Sequence, residues 1–262
     1  MILVRRRCRI LPLIVVLFSV IAFGCTSPNG AGRAALRVGV SPTYPPVIFE
    51  VDGEILGIEA DLARGLGTAL GRRIHFERYA SAELIGALER GEIDVIMSGM
   101  SITPEISDRI QYTIPYMKTG QLALIRSSEL VRLGRKRAIR RSGSRVGYER
   151  GTSGEQYVAS KLTRATSFAF DDVDSGVRSL RAGRIDYFIH DAPTVWRLAG
   201  DPSSKDLQGL YQPLTEEYLG WAVRAEDATL RTLLDTTLTH WKREGLIEPI
   251  VNRWIPVRVT IR

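Results

Sequence analysis

One pattern occurs twice in this chain. Leu88-Glu89-Arg90-Gly91-Glu92-Ile93-Asp94 returns as Leu180-Arg181-Ala182-Gly183-Arg184-Ile185-Asp186, with leucine, glycine, isoleucine and aspartate at matching offsets. In the first copy Leu84, Ile85 and Leu88 share a helical face, and Gly91 suits the left-handed conformation that ends a helix. Ile93, Val95, Ile96 and Met97 then form a short apolar run, as in a parallel strand buried on both faces. Val177, Leu180, Gly183, Ile185, Tyr187, Phe188 and Ile189 repeat the design. Upstream of each copy lies a second matched pair, Arg37-Val38-Gly39-Val40 and Arg145-Val146-Gly147-Tyr148, which lead into Ser, Thr, Gly or Pro loops and then helical stretches. Two separate α/β sheets are the economical expectation.

An α/β sheet binds ligands beyond the carboxyl ends of its strands, where loops and helix amino-termini converge. Those ends read SPTYPP after the first strand and SGMSITPE after Met97, then ERGTSGEQ and HDAP in the second set. All are polar and rich in helix-capping residues, so two facing lobes would enclose a cleft suited to a small hydrated ligand. Farther on, Tyr218 to Arg224 reads as a strand. Leu230, Leu233, Leu234, Leu238 and Trp241 then form the apolar stripe of a helix that Gly245 stops. Met117 to Ile125 and Leu214 to Val223 are read as two crossings between lobes. The expected division is a first lobe of residues 36–121 and 219–262 and a second of 122–218.

Ahead of this body, Arg5, Arg6, Arg7 and Arg9 precede an apolar run from Ile10 to Phe23, with no acidic residue before Cys25. That is the layout of a cleaved secretory signal over residues 1–24. The run is shorter than the roughly 20 apolar residues of a bilayer-crossing helix and contains Pro12. Small residues before Cys25 resemble a bacterial lipoprotein signal, making Cys25 a lipidation site at the head of a flexible spacer, residues 25–35; plain secretion with a free Cys25 is the simpler alternative. Cys8 falls in the leader, so no internal disulfide is expected in the mature chain. The net charge of +7 drops to +3 once the leader arginines are removed. The surviving basic run, Arg132 to Arg141, has no interleaved aromatics to stack bases, which argues against a nucleic-acid partner.

DVIMSGMSITPE, with LRVGVSPTYPP before it and VGYERGTSGE and LRAGRIDYFIHDAP after it, resembles family 3 of the bacterial solute-binding proteins over nearly all of residues 36–255. The resemblance implies a two-lobed α/β fold of the type II periplasmic-binding-protein kind. Each lobe would be a mixed sheet flanked by helices, with two hinge crossings and closure on a small polar ligand, an amino acid or related amine. It also implies an ABC transporter permease as partner, and a location in the periplasm or at the cell surface. By position, Tyr44 would lie against the ligand's side chain. Ser98, the backbone of Gly99 and Met100, Ser101 and Thr103 would surround its charged groups, Thr152 and Ser153 would approach from the opposite lobe, and Asp191 would pair with an ammonium. Ser153-Gly154-Glu155-Gln156 reads as a capping box, and Asp191 ahead of Ala192-Pro193 reads equally as a helix cap. The family's carboxylate-binding arginine is replaced by Ile106, and Ser81 stands where many members carry an aromatic side chain. Arg109, one turn beyond Ile106, is either a substitute or an ordinary surface residue.

Chemistry is not expected. His75, His190 and His240 show no metal-ligand spacing and no nucleophile motif stands out, so neither metal nor cofactor is anticipated. The alternatives are a dehydratase-like enzyme on the same fold, with His190 or Asp191 as acid or base, and a ligand-sensing signalling component.

Overall fold

The computed structural model describes residues 34–103, 109–135 and 137–255; the expected leader, Cys25, most of the spacer and Ile106 lie outside the described residues. The chain begins with β1 (Leu36–Val40), β2 (Thr43–Tyr44), β3 (Ile48–Val51), β4 (Glu54–Leu56), α1 (Ile58–Leu70), β5 (Ile74–Arg78), α2 (Leu84–Glu89), β6 (Val95–Ile96) and β7 (Ile110–Tyr112). Next come β8 (Met117–Thr119), β9 (Gln121–Arg126), α3 (Leu130–Leu133), β10 (Arg145–Glu149), α4 (Ser153–Lys161), β11 (Thr166–Phe170), α5 (Val173–Arg181), β12 (Tyr187–Asp191), α6 (Ala192–Gly200) and β13 (Leu207–Gly209). β14 (Glu217–Leu219), β15 (Ala222–Arg224), α7 (Ala228–Arg243) and α8 (Ile247–Trp254) complete the described chain.

Two five-stranded sheets form, ordered β5-β1-β6-β15-β7 and β11-β10-β12-β9-β13. In each, the first three strands run parallel and the fourth is antiparallel to its neighbours. The duplicated residues explain the shared plan. Asp94, just ahead of β6, accepts the Arg37 backbone N–H at 3.0 Å and its guanidinium at 2.7 Å. Asp186, just ahead of β12, accepts the Arg145 backbone N–H at 3.2 Å and its guanidinium at 2.8 and 3.1 Å. Such forked, charge-assisted bonds are directional, so each clamp fixes its parallel pair at the amino ends. The registers that follow are equivalent, Val38 opposite Val95 and Val146 opposite Tyr187.

The apolar runs fill the cores. Ile93, Val95, Ile96 and Met97 are all fully buried, although only Val95–Ile96 joins the ladder. On α7, Leu230, Leu234, Leu238 and Trp241 are buried, but Leu233, placed in the same stripe by sequence, is 39% exposed. At 100° per residue Leu233 lies roughly 95° from the centre of the other four and turns toward solvent. The strand expected over Tyr218 to Arg224 is broken at Gly220 and Trp221 into β14 and β15. β15 joins the first sheet, while β14 pairs antiparallel with β8 to form a two-stranded ribbon where the chain passes between the sheets. Gly120 follows β8 here because a side chain would put its Cβ 2.3 Å from the Thr215 carbonyl oxygen.

Asp186 is 5% exposed. Burial pushes its pKa up, but the bonds from Arg145 and Arg132 outweigh that effect and hold it at about 2, below the ordinary 3.8. A depressed carboxyl pKa stabilises the fold above its ordinary value, and that contribution disappears as pH falls toward 2. Asp186→Asn is therefore expected to lower unfolding stability at pH 7 by about 2 kcal/mol. Chemical denaturation should also show a flatter response than wild type between pH 4 and 2.

Candidate functional site

The strand ends of the two sheets face each other across a cleft of about 510 Å³. Ser41, Thr43 and Tyr44 enter it after β1, and Ser98, Gly99 and Ser101 after β6. From the other side come Glu149, Thr152 and Ser153 after β10, and His190 and Asp191 at the end of β12. The repeated strand–loop–helix design thus brings most of the sequence-derived site residues together. Met100 and Thr103 are not among the described lining residues: the Met100 side chain packs against the Leu84–Ile110 cluster, and its carbonyl accepts the Gly220 N–H at 3.1 Å. Ser81 does line the cleft. Arg109 is exposed and forks onto Glu89 at 2.6 and 2.8 Å, so the surface role holds.

The first wall is set by close approach. Gly99 has φ +68°, and a Cβ there would sit 2.7 Å from the Tyr44 ring, so glycine lets the ring approach the loop backbone. Ser98 Oγ accepts the Ser41 N–H at 2.8 Å and ties the two loops together. Burial raises the Tyr44 hydroxyl pKa well above its ordinary value, and the Asp191 carboxylate adds to that shift, so the phenol remains protonated.

Behind this loop lies a residue that sequence reasoning missed. Glu59, near the start of α1, is fully buried, and its Oε2 accepts the Gly99 N–H at 2.6 Å. Desolvation raises its pKa to about 8 despite that bond, leaving a neutral carboxylic acid beneath the site at pH 7. A lone glutamate followed by apolar helix residues gives little warning of this, because its partner is 40 residues away.

Behind Ser101 and Asp191 the two crossings contribute a buried polar network. Ser101 Oγ donates to Glu217 Oε2 at 3.2 Å, and Thr215 Oγ1 donates to Glu217 Oε1 at 2.7 Å while accepting the Gln121 N–H at 2.7 Å. The fully buried Gln121 amide donates to Asp191 Oδ1 and, at 3.3 Å, to Glu217. A glutamine in the otherwise apolar run preceding Arg126 was the available sequence signal. Asp191 sits at the N-cap position of α6, yet its side chain makes no capping bond. Its carboxylate is instead turned toward Gln121 and the cleft.

The helix opposite begins one residue earlier than the sequence box implied. Thr152, in extended backbone, is the N-cap; its Oγ1 accepts the Glu155 N–H at 3.4 Å, and Glu155 Oε2 accepts the Gly151 N–H at 2.8 Å. Both Thr152 and Ser153 have capping side chains, and the backbone dihedral selects the first. Ser153 then occupies the first helical turn, facing the cleft. His190 is 4% exposed. Its Nδ1 accepts the Asp191 N–H at 2.8 Å, so the neutral ring carries its proton on Nε2, 2.7 Å from Glu149.

The raised Glu59 pKa gives a signed expectation. Stabilisation by the protonated form is complete below 4.5 and is lost as pH rises toward 8. The wild-type melting temperature should fall across that window, whereas Glu59→Gln, which keeps an acceptor for Gly99, should respond much less. Parallel pH curves for the two proteins would contradict the assignment.

Comparison with known proteins agrees with this geometry. The sequence profile of the bacterial extracellular solute-binding proteins, family 3, matches residues 36–257. The ABC transporter arginine-binding protein 1 of Escherichia coli (strain K12) is 29% identical over 237 residues, 87% of this chain and 93% of that one. The histidine-binding periplasmic protein of Salmonella typhimurium is 28% identical over 250 residues, 90% and 93% of the respective chains. A solved ancestral cationic amino acid solute-binding protein has a TM-score of 0.77 at 28% identity, covering 84% of this chain and 95% of that one. With paired mixed sheets, a polar cleft between their strand ends and a profile match across the whole described body, the chain belongs to the bacterial extracellular solute-binding proteins, family 3.

Proposed function

We propose that this protein captures a small cationic amino acid or related amine outside the cytoplasm and delivers it to the permease of an ABC importer. The charge of the cleft carries this reading. Glu149, Asp172, Asp174 and Asp191 line it, against Arg197 as the sole lysine or arginine among the described lining residues. Carboxylates in a closing, poorly hydrated cleft attract a cation strongly and discriminate against an anion. The relatives support the same reading, since they are described as arginine-binding, histidine-binding and cationic amino acid-binding proteins.

In this account Asp191 receives the ligand's cationic group. Tyr44, Ser98, Ser101, Thr152, Ser153 and the Gly99 backbone order the rest. Residues 36–121 and 219–262 move as one lobe against 122–218, turning on the β8–β14 ribbon, so that binding energy goes into closure and no bond is broken. Both ring nitrogens of His190 are already engaged, which favours a structural role over acid–base chemistry. The amino-terminal pattern is read as a signal over residues 1–24 with a lipid on Cys25, holding the protein in the periplasm or at the cell surface. No helix among the described residues is long and apolar enough to cross a membrane.

Calorimetric titration with L-arginine, L-lysine, L-histidine and L-glutamate tests the proposal. One or more cationic ligands should bind and L-glutamate should not. Asp191→Asn should weaken the cationic ligand by about 10- to 100-fold, the loss of one charge-assisted bond, with the melting temperature little changed. Preferential binding of L-glutamate, or unchanged affinity in Asp191→Asn, would sink the reading.

A further inference from the structure

The one arginine among the described lining residues is placed in an unusual way. Arg197 lies on α6, on the same helical face as Thr194 one turn earlier. Thr194 Oγ1 donates to the Pro45 carbonyl at 3.4 Å, a contact from α6 to the loop after β2, so Arg197 stands beside the place where the two walls touch. Its Nε is buried and has no hydrogen-bond partner, and the guanidinium makes no salt bridge among the described residues. Burial lowers its pKa, with Asp174 and Asp201 opposing that only through space. By contrast, Arg109 is paired with Glu89 and Arg150 with Asp171.

A partly buried guanidinium without a carboxylate partner is costly to hold, because desolvation is not offset by a bond. Its forked donors match a carboxylate better than any other small anion group except phosphate. Phosphate fits this cleft poorly, since the surrounding Glu149, Asp172, Asp174 and Asp191 would repel a dianion. A ligand bearing one cationic group and one carboxylate satisfies both halves of the site. We propose that Arg197 is the carboxylate-binding residue of the cleft, so that the captured solute is an amino acid and not a plain amine. This rests on the cation-capturing function above and narrows its ligand class. It also places the carboxylate contact on α6 of the second lobe, where closure against Pro45 would bring it onto a ligand already held near Asp191.

Matched ligands that differ only by the carboxylate supply the test: L-lysine against cadaverine, L-arginine against agmatine and L-histidine against histamine, titrated calorimetrically into wild type, Arg197→Gln, Arg197→Lys and Arg109→Gln. In wild type the amino acid of at least one pair should bind about tenfold or more tighter than its decarboxylated partner, as expected for a charge-assisted forked bond. Arg197→Gln should reduce that preference to less than about threefold while leaving the amine's affinity nearly unchanged, a selectivity that general damage to the fold does not produce. Arg197→Lys should keep part of the preference, and Arg109→Gln all of it. Melting curves confirm that each variant is folded. Equal binding of both members in wild type, or a full carboxylate preference surviving in Arg197→Gln, overturns the assignment of Arg197 while leaving cation capture intact. Failure of all six compounds to bind wild type overturns the functional proposal and this inference with it.

Discussion

Everything in this fold is organised from two arginine–aspartate clamps. Arg37 with Asp94 and Arg145 with Asp186 tie neighbouring parallel strands together at their amino ends, each through a backbone N–H and a guanidinium. With register fixed there, β1 and β6, and likewise β10 and β12, release their chains at one common edge of each sheet. Polar loops and helix starts then emerge side by side at both edges, and the cleft is the space between them. Because the clamps lie at the opposite ends of the strands from the cleft, they stabilise the walls without occupying the ligand's space.

The groups behind that cleft have a different logic. They form a buried polar network drawn from Ser101, Gln121, Asp191, Thr215 and Glu217, residues far apart in the chain that meet where it passes between the sheets. Two carboxylates, Asp191 and Glu217, share one glutamine amide and the nearby hydroxyls. Such a network holds negative charge in position before any ligand arrives, so a cation entering the cleft meets preorganised acceptors with little reorganisation to drive. Gln121 and Thr215 belong to the two crossings, so in the proposed function the groups that hold Asp191 and Glu217 in place are also those about which the lobes would turn. That function would link binding and closure through a handful of hydrogen bonds.

The doubled pattern made the fold legible. Glycines after α2 and α5, the apolar runs that follow and the repeated Arg-Val-Gly strands each state a local preference that the sheets fulfil. Legibility was lower wherever a choice depended on geometry beyond nearest neighbours. Thr152 and Ser153 are equally good capping types, and only the backbone conformation decides between them. Leu233 matches its neighbours in chemistry but not in helical angle. At the cleft, the strand ends of the repeated motif marked which loops would line it, and the family resemblance singled out Tyr44, Ser98, Gly99, Ser101, Thr152, Ser153 and Asp191 within them. Glu59, Glu217 and Arg197 could not, because nothing local marks a charged residue that acquires its environment from a partner dozens of positions away.

The central claim is that a solute is held between the two sets of strand ends, with its positive charge on the β12 edge. A crystal structure of the protein grown with L-arginine tests this most directly. The account predicts ligand density between Tyr44 and Asp191, with a ligand nitrogen within hydrogen-bond distance of the Asp191 carboxylate and atoms of both lobes in contact with it. Ligand density confined to one lobe, or lying away from Asp191, would contradict it.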